Sequence, residues 1–166
     1  MPEETQSTVA VIEPDPTALD EYLTNDKDVA LVVMEPTGAH WGQFPVQNPD
    51  FLESVREITK RHGVLMMMDE VVCGFRLSTG GAQGRYGSMP DISSTAKVVA
   101  GGLPGGAVVG RADLFDSMLD TDPVSRFVHP GTFNANPVSA VAGIAALEII
   151  KKKPVNERAD MMADRI

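Results

Sequence analysis

Two short apolar runs, separated by an amphipathic stretch, define the first half of the chain. Residues 29–34 form a continuous run that is rich in β-branched residues and too short for a buried helix. A run like this is typical of a parallel strand that is covered on both faces. Residues 64–68 form a second short apolar run, which predicts the next strand. We therefore predict two parallel strands here.

The stretch between the two runs predicts a crossover helix. Apolar positions recur with helical spacing over residues 51–58, and charged residues occupy the opposite face. Asn48 is suited to the N-cap and Pro49 to the first helical position. Gly63 stands where helices commonly end in a left-handed residue. Residues 29–68 thus predict a βαβ unit, whose crossover should be right-handed.

One long helix is predicted over residues 137–153. The stretch is rich in alanine and aliphatic residues, and three lysines end it where the helix dipole favours cations. The glycine-rich residues 78–88 and most of residues 121–136 are predicted to be irregular. The pattern also predicts strands over residues 8–12, 90–92 and 107–110, and helices over residues 17–23, with Thr17 as N-cap, over residues 112–119 and from residue 156 onward.

Composition narrows the class of protein. The 166 residues are 43% hydrophobic and 22% charged, as in an ordinary globular domain. The net charge of −9 argues against nucleic-acid binding, which needs a basic face. The apolar runs are too short to cross a membrane, and residues 1–4 do not resemble a secretory signal. A single cysteine, Cys73, excludes an intramolecular disulfide and a multi-cysteine metal site, so we expect a cytoplasmic protein.

Carboxylates follow both predicted parallel strands. Glu35 comes directly after the first apolar run, and Asp69 comes directly after the second. Ligands of open parallel sheets bind beyond the carboxyl ends of the strands, so the two residues mark a candidate site. The alternative is that Asp69 and its neighbour Glu70 merely cap the next turn. The spacing of the residues does not decide between these interpretations.

A lysine precedes the glycine-rich residues 101–106. Lys97 on its own would be a solvated surface residue, but its neighbours Ala96 and Val98 are apolar. Apolar surroundings destabilise the ammonium and leave a nucleophilic amine. The glycines do not form a nucleotide phosphate loop, because the lysine comes before them. An aspartate and a nucleophilic lysine in one α/β site are the pair that pyridoxal phosphate enzymes use.

A series of short motifs that includes Glu35, Asp69 and Lys97 extends over about residues 29–150. They are residues 32–36, 68–76, 80–83 with 86–87, 90–92, 97 with 101–106, and 131–137. In this combination and order they resemble the class III (fold type I) aminotransferases, in particular the glutamate-1-semialdehyde aminomutase branch. Val72 stands where many class III transaminases carry Gln. An apolar residue at this position is closer to the aminomutase pattern. His40 stands where the aminomutase branch usually has Asn.

The resemblance implies a role for each matching residue. Lys97 would hold pyridoxal 5′-phosphate as a Schiff base and then act as the base that moves a proton. Asp69 would keep the ring nitrogen protonated, and Val71 would pack on one face of the ring. Thr132 would bind the phosphate of the cofactor in the neighbouring subunit of a homodimer. The residues near the substrate would be Glu35, His40 and Trp41.

The resemblance also implies the fold. We expect an α/β structure, namely part of the large domain of the aspartate-aminotransferase-like fold, with a mostly parallel sheet flanked by helices. Residues 1–153 would be the central part of the cofactor-binding domain, and residues 154–166 would start the helix that leads to a C-terminal small domain. Family members are more than twice as long, so we expect about half a site and little activity in this chain alone.

The function that the resemblance implies is pyridoxal phosphate-dependent transfer of an amino group. The substrates would be small-molecule amino donors and acceptors, and the transfer would run between molecules, as in a transaminase, or within one, as in an aminomutase. Two alternatives stay open. One is a racemase or decarboxylase on the same fold, and the other is an inactive truncated relative that acts as an interaction module.

Overall fold

A computed structural model describes residues 2–38, 49–118, 120, 122–124 and 126–166. Its centre is a four-stranded sheet in the order β1-β2-β3-β4. The first two pairs of neighbours are parallel, and β4 is antiparallel to β3. The prediction of a mostly parallel sheet is therefore confirmed. The strands are β1 (Leu31–Met34), β2 (Leu65–Glu70), β3 (Ile92–Ala96) and β4 (Gly106–Gly110).

Helices connect and flank the strands. In the described part of the chain, no helix is long and apolar enough to cross a membrane. Two 3₁₀ turns, Lys97–Ala100 and Asp116–Met118, supplement the α-helices. The α-helices are α1 (Glu3–Gln6), α2 (Pro16–Asn25), α3 (Pro49–His62), α4 (Gly74–Leu77), α5 (Gly81–Tyr86), α6 (Ala112–Phe115), α7 (Pro137–Lys152) and α8 (Val155–Ala163).

The predicted βαβ unit is present. Helix α3 connects β1 to β2, and the two strands are parallel with Leu31 opposite Leu65. Gly63 ends α3 with φ of +72°, and the Val64 N–H donates to the Thr59 carbonyl at 2.9 Å. This is the Schellman arrangement expected of a glycine after a helix. The predicted N-cap, Asn48, lies outside the described residues.

The hydrophobic core lies on one face of the sheet. Met66 and Met68 of β2 are fully buried against α2 and α3, with Leu23 and Leu52 from those helices. Side chains of the intervening strand positions point to the opposite face. On that face Val33 of β1 is 57% exposed. Helices α2 and α3 both contribute to the core cluster on the first face. The prediction that β1 is covered on both faces is therefore wrong for the described residues.

The strand predicted over residues 8–12 is not formed. Its apolar side chains are exposed, and Val11 is 94% exposed. Nearby backbone groups bond locally instead, because α1 precedes this segment and the Val9 N–H donates to the Gln6 carbonyl at 3.1 Å. An apolar run becomes a strand only where a neighbouring strand can pair with it.

Three further predictions are corrected in detail. The N-cap of α2 is Asp15 rather than Thr17, because Asp15 Oδ1 accepts from the Thr17 N–H at 3.1 Å. Residues 78–88 are not irregular throughout, since they contain α5. The helix predicted over residues 112–119 is only α6 followed by a 3₁₀ turn. The predictions of α7, α8 and β4 are confirmed to within a few residues.

Asp91 joins three of these elements just before β3 begins. Its carboxylate is 2% exposed and accepts two hydrogen bonds from the Arg56 guanidinium of α3, at 2.6 and 3.1 Å. The same carboxylate accepts from the Met66 N–H of β2 at 2.9 Å and from Arg111 Nη1 at 3.0 Å. The position of Asp91 therefore fixes α3, β2 and the end of β4 relative to one another.

The hydrogen bonds decide the ionisation of Asp91. Burial alone raises the pKa of the carboxyl, but the hydrogen bonds from Arg56, the Met66 N–H and Arg111 outweigh burial and lower the pKa to about 2. The ordinary value is 3.8. Because the folded-state pKa is depressed, the carboxylate stabilises the fold above pH 3.8 and loses that contribution as the pH falls toward 2.

We expect Asp91→Asn to lower the free energy of unfolding at pH 7 by about 3 kcal/mol, because it leaves a largely buried guanidinium without its partner. The difference between the two proteins should shrink by about 1 kcal/mol between pH 7 and pH 3, because pH 3 lies between the unfolded-state pKa of 3.8 and the folded-state pKa of about 2. Urea unfolding at pH 7 and pH 3 measures both quantities.

The matched control is Asp113→Asn, which removes the exposed partner of Arg111 and leaves Asp91 intact. It should change the free energy of unfolding little at either pH. Equal losses in the two variants, or an Asp91→Asn loss that does not change with pH, would contradict this account of the network.

Candidate active site

Asp69 is held at the carboxyl end of β2 by two hydrogen bonds. The register between the strands places it opposite Ser94 of β3. Its Oδ1 accepts from Ser94 Oγ at 3.2 Å and from the Val71 N–H at 3.0 Å. The bond from the Val71 N–H caps the turn that follows the strand. The interpretation of Asp69 as a residue that caps this turn is therefore correct. Asp69 is only half-buried, however.

Lys97 follows β3 and reaches the same point. It begins the 3₁₀ turn Lys97–Ala100 with φ of +54°, a left-handed conformation that is uncommon for a residue other than glycine. Its Nζ donates to the Val71 carbonyl at 3.4 Å. Asp69 and Lys97 thus hydrogen-bond to the two backbone groups of one residue. The structure brings this predicted pair together.

The predicted burial of Lys97 is not found. Lys97 is exposed, whereas Val98 and Val99 are half-buried and Ala100 is buried. Successive side chains in a tight 3₁₀ turn point in different directions, so apolar neighbours in sequence do not have to cover the lysine. Within the described chain, the surroundings of Lys97 do not desolvate its amine.

Glu70 lies on the face opposite Asp69 and has a structural role. It is 4% exposed, and its carboxylate accepts from the Ala82 N–H and from Ser93 Oγ, the latter at 3.4 Å. Burial raises the pKa of Glu70, although these two hydrogen bonds act in the other direction. Gly81 allows this contact, because a Cβ there would overlap the Glu70 carboxylate. Glu70 therefore anchors the start of α5 to the sheet.

Glu35 is also buried, and two of its hydrogen bonds are local to the end of β1. Its carboxylate accepts from Thr37 Oγ1 at 2.6 Å and from the Thr37 N–H at 3.0 Å. Burial and the nearby Glu35 carboxylate raise the pKa of the Cys73 thiol to about 12. Cys73 is a free cysteine that is buried beside the sheet, with 3% of its surface exposed. Glu35 fixes the backbone that leads toward residues 40 and 41.

Of the remaining predicted site residues, the structure describes Val71 and Thr132. Val71 is half-buried and lies between the Asp69 and Lys97 contacts. Thr132 is exposed in a turn before α7, where the Asn134 N–H donates to the Gly131 carbonyl at 3.0 Å. His40 and Trp41 lie outside the described residues.

Ser94 is a site residue that the sequence reasoning missed. Its hydroxyl orients Asp69, yet nothing in the Ser93-Ser94 sequence distinguishes one serine from the other. The distinction comes from the register between β2 and β3, which places Ser94 beside Asp69 and Ser93 beside Met68. The role of Ser94 can be recognised only from the pairing of β2 with β3, which sequence periodicity does not predict.

These residues fit half of a pyridoxal 5′-phosphate site. A primary amine that can condense with an aldehyde and a carboxylate that can accept from a protonated ring nitrogen lie at one edge of the sheet. The half-buried Val71 between them offers an apolar side chain to a flat ring. The exposure of Lys97 and of Val33 shows that this face is open rather than filled by the described residues.

Comparisons with known proteins agree with this chemistry. The family model described as Aminotransferase class-III matches residues 2–166. The glutamate-1-semialdehyde 2,1-aminomutase of Sulfolobus acidocaldarius is 36% identical over 160 residues, which cover 96% of this chain and 37% of that protein. The chain thus spans little more than a third of the length of this relative.

Solved structures show the same fold. An omega-transaminase from Sphaerobacter thermophilus superposes with a TM-score of 0.79 and 34% identity, covering 93% of this chain and 35% of that one. A transaminase solved with PLP bound gives a TM-score of 0.74 and 34% identity, covering 88% and 34% of the two chains. The predicted fold and the predicted family resemblance are confirmed.

The raised pKa of Glu70 predicts a pH dependence of stability. The folded-state pKa lies above the ordinary value of 4.5, so the contribution of Glu70 is fully present below pH 4.5 and is lost as the pH rises through the folded-state pKa. We expect Glu70→Gln to flatten this decline, because Gln stays neutral and can still accept from the Ala82 N–H. Urea unfolding between pH 4 and pH 8 measures the effect.

The matched control is Glu53→Gln on the exposed face of α3. It should leave the pH dependence of the parent unchanged, because the Glu53 side chain is not buried. An unaltered pH profile in Glu70→Gln would show that burial does not set the ionisation of Glu70.

Proposed function

Because this chain belongs to the class-III aminotransferase family, we propose that the protein transfers an amino group with pyridoxal 5′-phosphate as cofactor. The observation that carries the proposal is the meeting of Asp69 and Lys97 at Val71 on one sheet edge. The likeness to an aminomutase and to a transaminase solved with PLP bound supports the proposed reaction and cofactor. Family members act on small-molecule amino donors and acceptors.

The cofactor, when bound, supplies an electron sink for a carbanion beside the substrate nitrogen. Lys97 would hold the cofactor through Nζ, and the same atom would later accept and return the proton that moves. Asp69 would accept a hydrogen bond from the protonated ring nitrogen, which keeps the ring positively charged. Ser94 would keep the Asp69 carboxylate directed at that nitrogen, and Val71 would pack on the ring.

The substrate side of the proposed site follows the end of β1. Glu35 orders the backbone at Thr37, and the resemblance to the family suggests His40 and Trp41, a few residues further along the chain, as residues near the substrate. Proteins similar to this chain include both an aminomutase and an omega-transaminase. We therefore keep intramolecular and intermolecular transfer as the two forms of the proposed reaction.

We further propose a homodimer in which Thr132 binds the cofactor phosphate of the neighbouring subunit. Phe127, Val128 and Phe133, which are near Thr132 in sequence, are 57%, 59% and 65% exposed. Large exposed apolar surfaces mark places that another chain covers. The dimer would bury this segment and bring the Thr132 hydroxyl to the partner's site. Within each subunit, residues 1–153 would belong to the cofactor-binding domain.

Lys97 should be the lysine that reacts with pyridoxal 5′-phosphate. After incubation with the cofactor and reduction with borohydride, mass spectrometry should find the adduct on Lys97 in preference to the five other lysines. Lys97→Ala should abolish this adduct. Asp69→Asn should weaken cofactor affinity by about 10- to 100-fold, because it removes a hydrogen bond to a charged group worth about 1.5–3 kcal/mol.

The control is Lys60→Ala on the exposed side of α3, which should leave the Lys97 adduct unchanged. Assays of the whole protein with glutamate semialdehyde, α-amino acids and ω-amines then separate the two forms of the reaction. Uniform labelling of all lysines, or amino transfer by Lys97→Ala at the parental rate, would refute the proposed function.

The dimer makes its own prediction. Phe133→Ser should raise the dissociation constant of the dimer by at least about tenfold, since it removes a large apolar side chain from the interface. Sedimentation equilibrium measures the constant. Val11→Ser serves as control, because it removes an apolar group that is even more exposed, at 94% against 65% for Phe133, and lies far along the chain from Thr132. A monomeric parent, or equal effects of both substitutions, would refute the proposed interface.

A further inference from the structure

Helix α7 lies directly on the backbone of the turn that carries Lys97. Gly143 is buried in α7, and a Cβ at this position would overlap the Val99 carbonyl oxygen. A Cβ at Gly101 would in turn overlap the Ala142 carbonyl oxygen of α7. Neither surface has room for a side chain. The helix and the turn therefore meet through backbone atoms on both sides.

The turn needs support from outside, because Lys97 adopts a left-handed conformation. Local hydrogen bonds close the turn, as the Gly102 N–H donates to the Lys97 carbonyl at 3.3 Å and the Gly101 N–H to the Val98 carbonyl at 3.0 Å. Helix α7 holds the following loop as well, since Ser139 Oγ donates to the Pro104 carbonyl at 2.7 Å. The contact with α7 thus limits how far the turn can relax.

We propose that Gly143 is a positioning residue for Lys97. Its missing side chain lets α7 press on the turn, and this contact keeps Lys97 in the conformation from which Nζ reaches the Val71 carbonyl. Gly143 touches neither cofactor nor substrate in this arrangement, and it acts through the backbone of Val99. The inference deepens the proposed function, because it rests on Lys97 as the residue that holds the cofactor.

A glycine in the middle of a helix is otherwise unfavourable. Alanine at the same position would favour the helical state, because glycine has the larger backbone entropy to lose. Intrinsic helix propensity and the packing contact therefore predict opposite effects of Gly143→Ala. This opposition separates a role in positioning the turn from a role in forming α7.

The experiment compares Gly143→Ala with Ala145→Gly. Ala145 lies two residues further along α7 and is exposed, so its replacement weakens the helix without touching the turn. Hydrogen exchange at the Gly102 amide reports the closure of the turn. Trace acylation with acetic anhydride, with Lys60 as internal standard, reports the environment of Lys97 without any cofactor.

We expect Gly143→Ala to speed exchange at the Gly102 amide and to change the acylation rate of Lys97, each by about tenfold or more. Reductive labelling of Lys97 by pyridoxal 5′-phosphate should fall by a similar factor. Ala145→Gly should leave all three rates near those of the parent.

Parental exchange and acylation rates in Gly143→Ala would overturn the proposal, as would faster exchange with unchanged Lys97 reactivity. Equal effects in Ala145→Gly would assign the result to helix stability and would also overturn it. A parent in which pyridoxal 5′-phosphate shows no preference for Lys97 would refute the proposed function alone. Exchange and acylation would still decide the role of Gly143, because neither measurement needs the cofactor.

Discussion

The arrangement of the site depends on the buried carboxylate of Asp91. It accepts from the Met66 N–H, while the Asp91 N–H donates to the Met66 carbonyl, so the residue pins β3 to β2 before the ladder begins. That register places Ser94 opposite Asp69 at the other end of the two strands. A slip of one residue would turn every side chain of β3 to the opposite face. Three residues after Ser94 the chain reaches Lys97, so the same register also sets where the amine begins.

Two acidic residues of β2 have different roles because successive side chains of a strand point to opposite faces of the sheet. Asp69 and Glu70 are adjacent in sequence but point to opposite faces. Glu70 is buried and binds the start of α5, whereas Asp69 is half-buried on the side that α2 and α3 leave open. Glu70 therefore stabilises the fold, whereas Asp69 lies on the face of the sheet that is proposed to meet the cofactor.

Features that depend on local pattern could be predicted from sequence. The β1–α3–β2 unit, the glycine that ends α3 and the long helix α7 follow from apolar spacing and caps. The choice of Asp69 and Lys97 as candidate site residues followed from their positions after apolar runs and from the resemblance to a known family. Features that depend on tertiary packing could not. The role of Ser94 needs the strand register, the exposure of Lys97 needs the geometry of the 3₁₀ turn, and the unpaired run at residues 8–12 needs knowledge of which strands find neighbours.

Helix α7 couples two residues that are proposed to bind different parts of the cofactor. Its middle presses on the Lys97 turn through Gly143, and its N-terminus is capped by Asn136, whose side chain accepts from the Val138 N–H at 3.0 Å. The cap directly follows the turn that carries Thr132. In the proposed dimer, a movement of α7 would shift Lys97 in its own site and Thr132 relative to the partner's site together. Helix α7 would then link the position of each subunit's lysine to the position of the threonine that the same subunit is proposed to offer to the other.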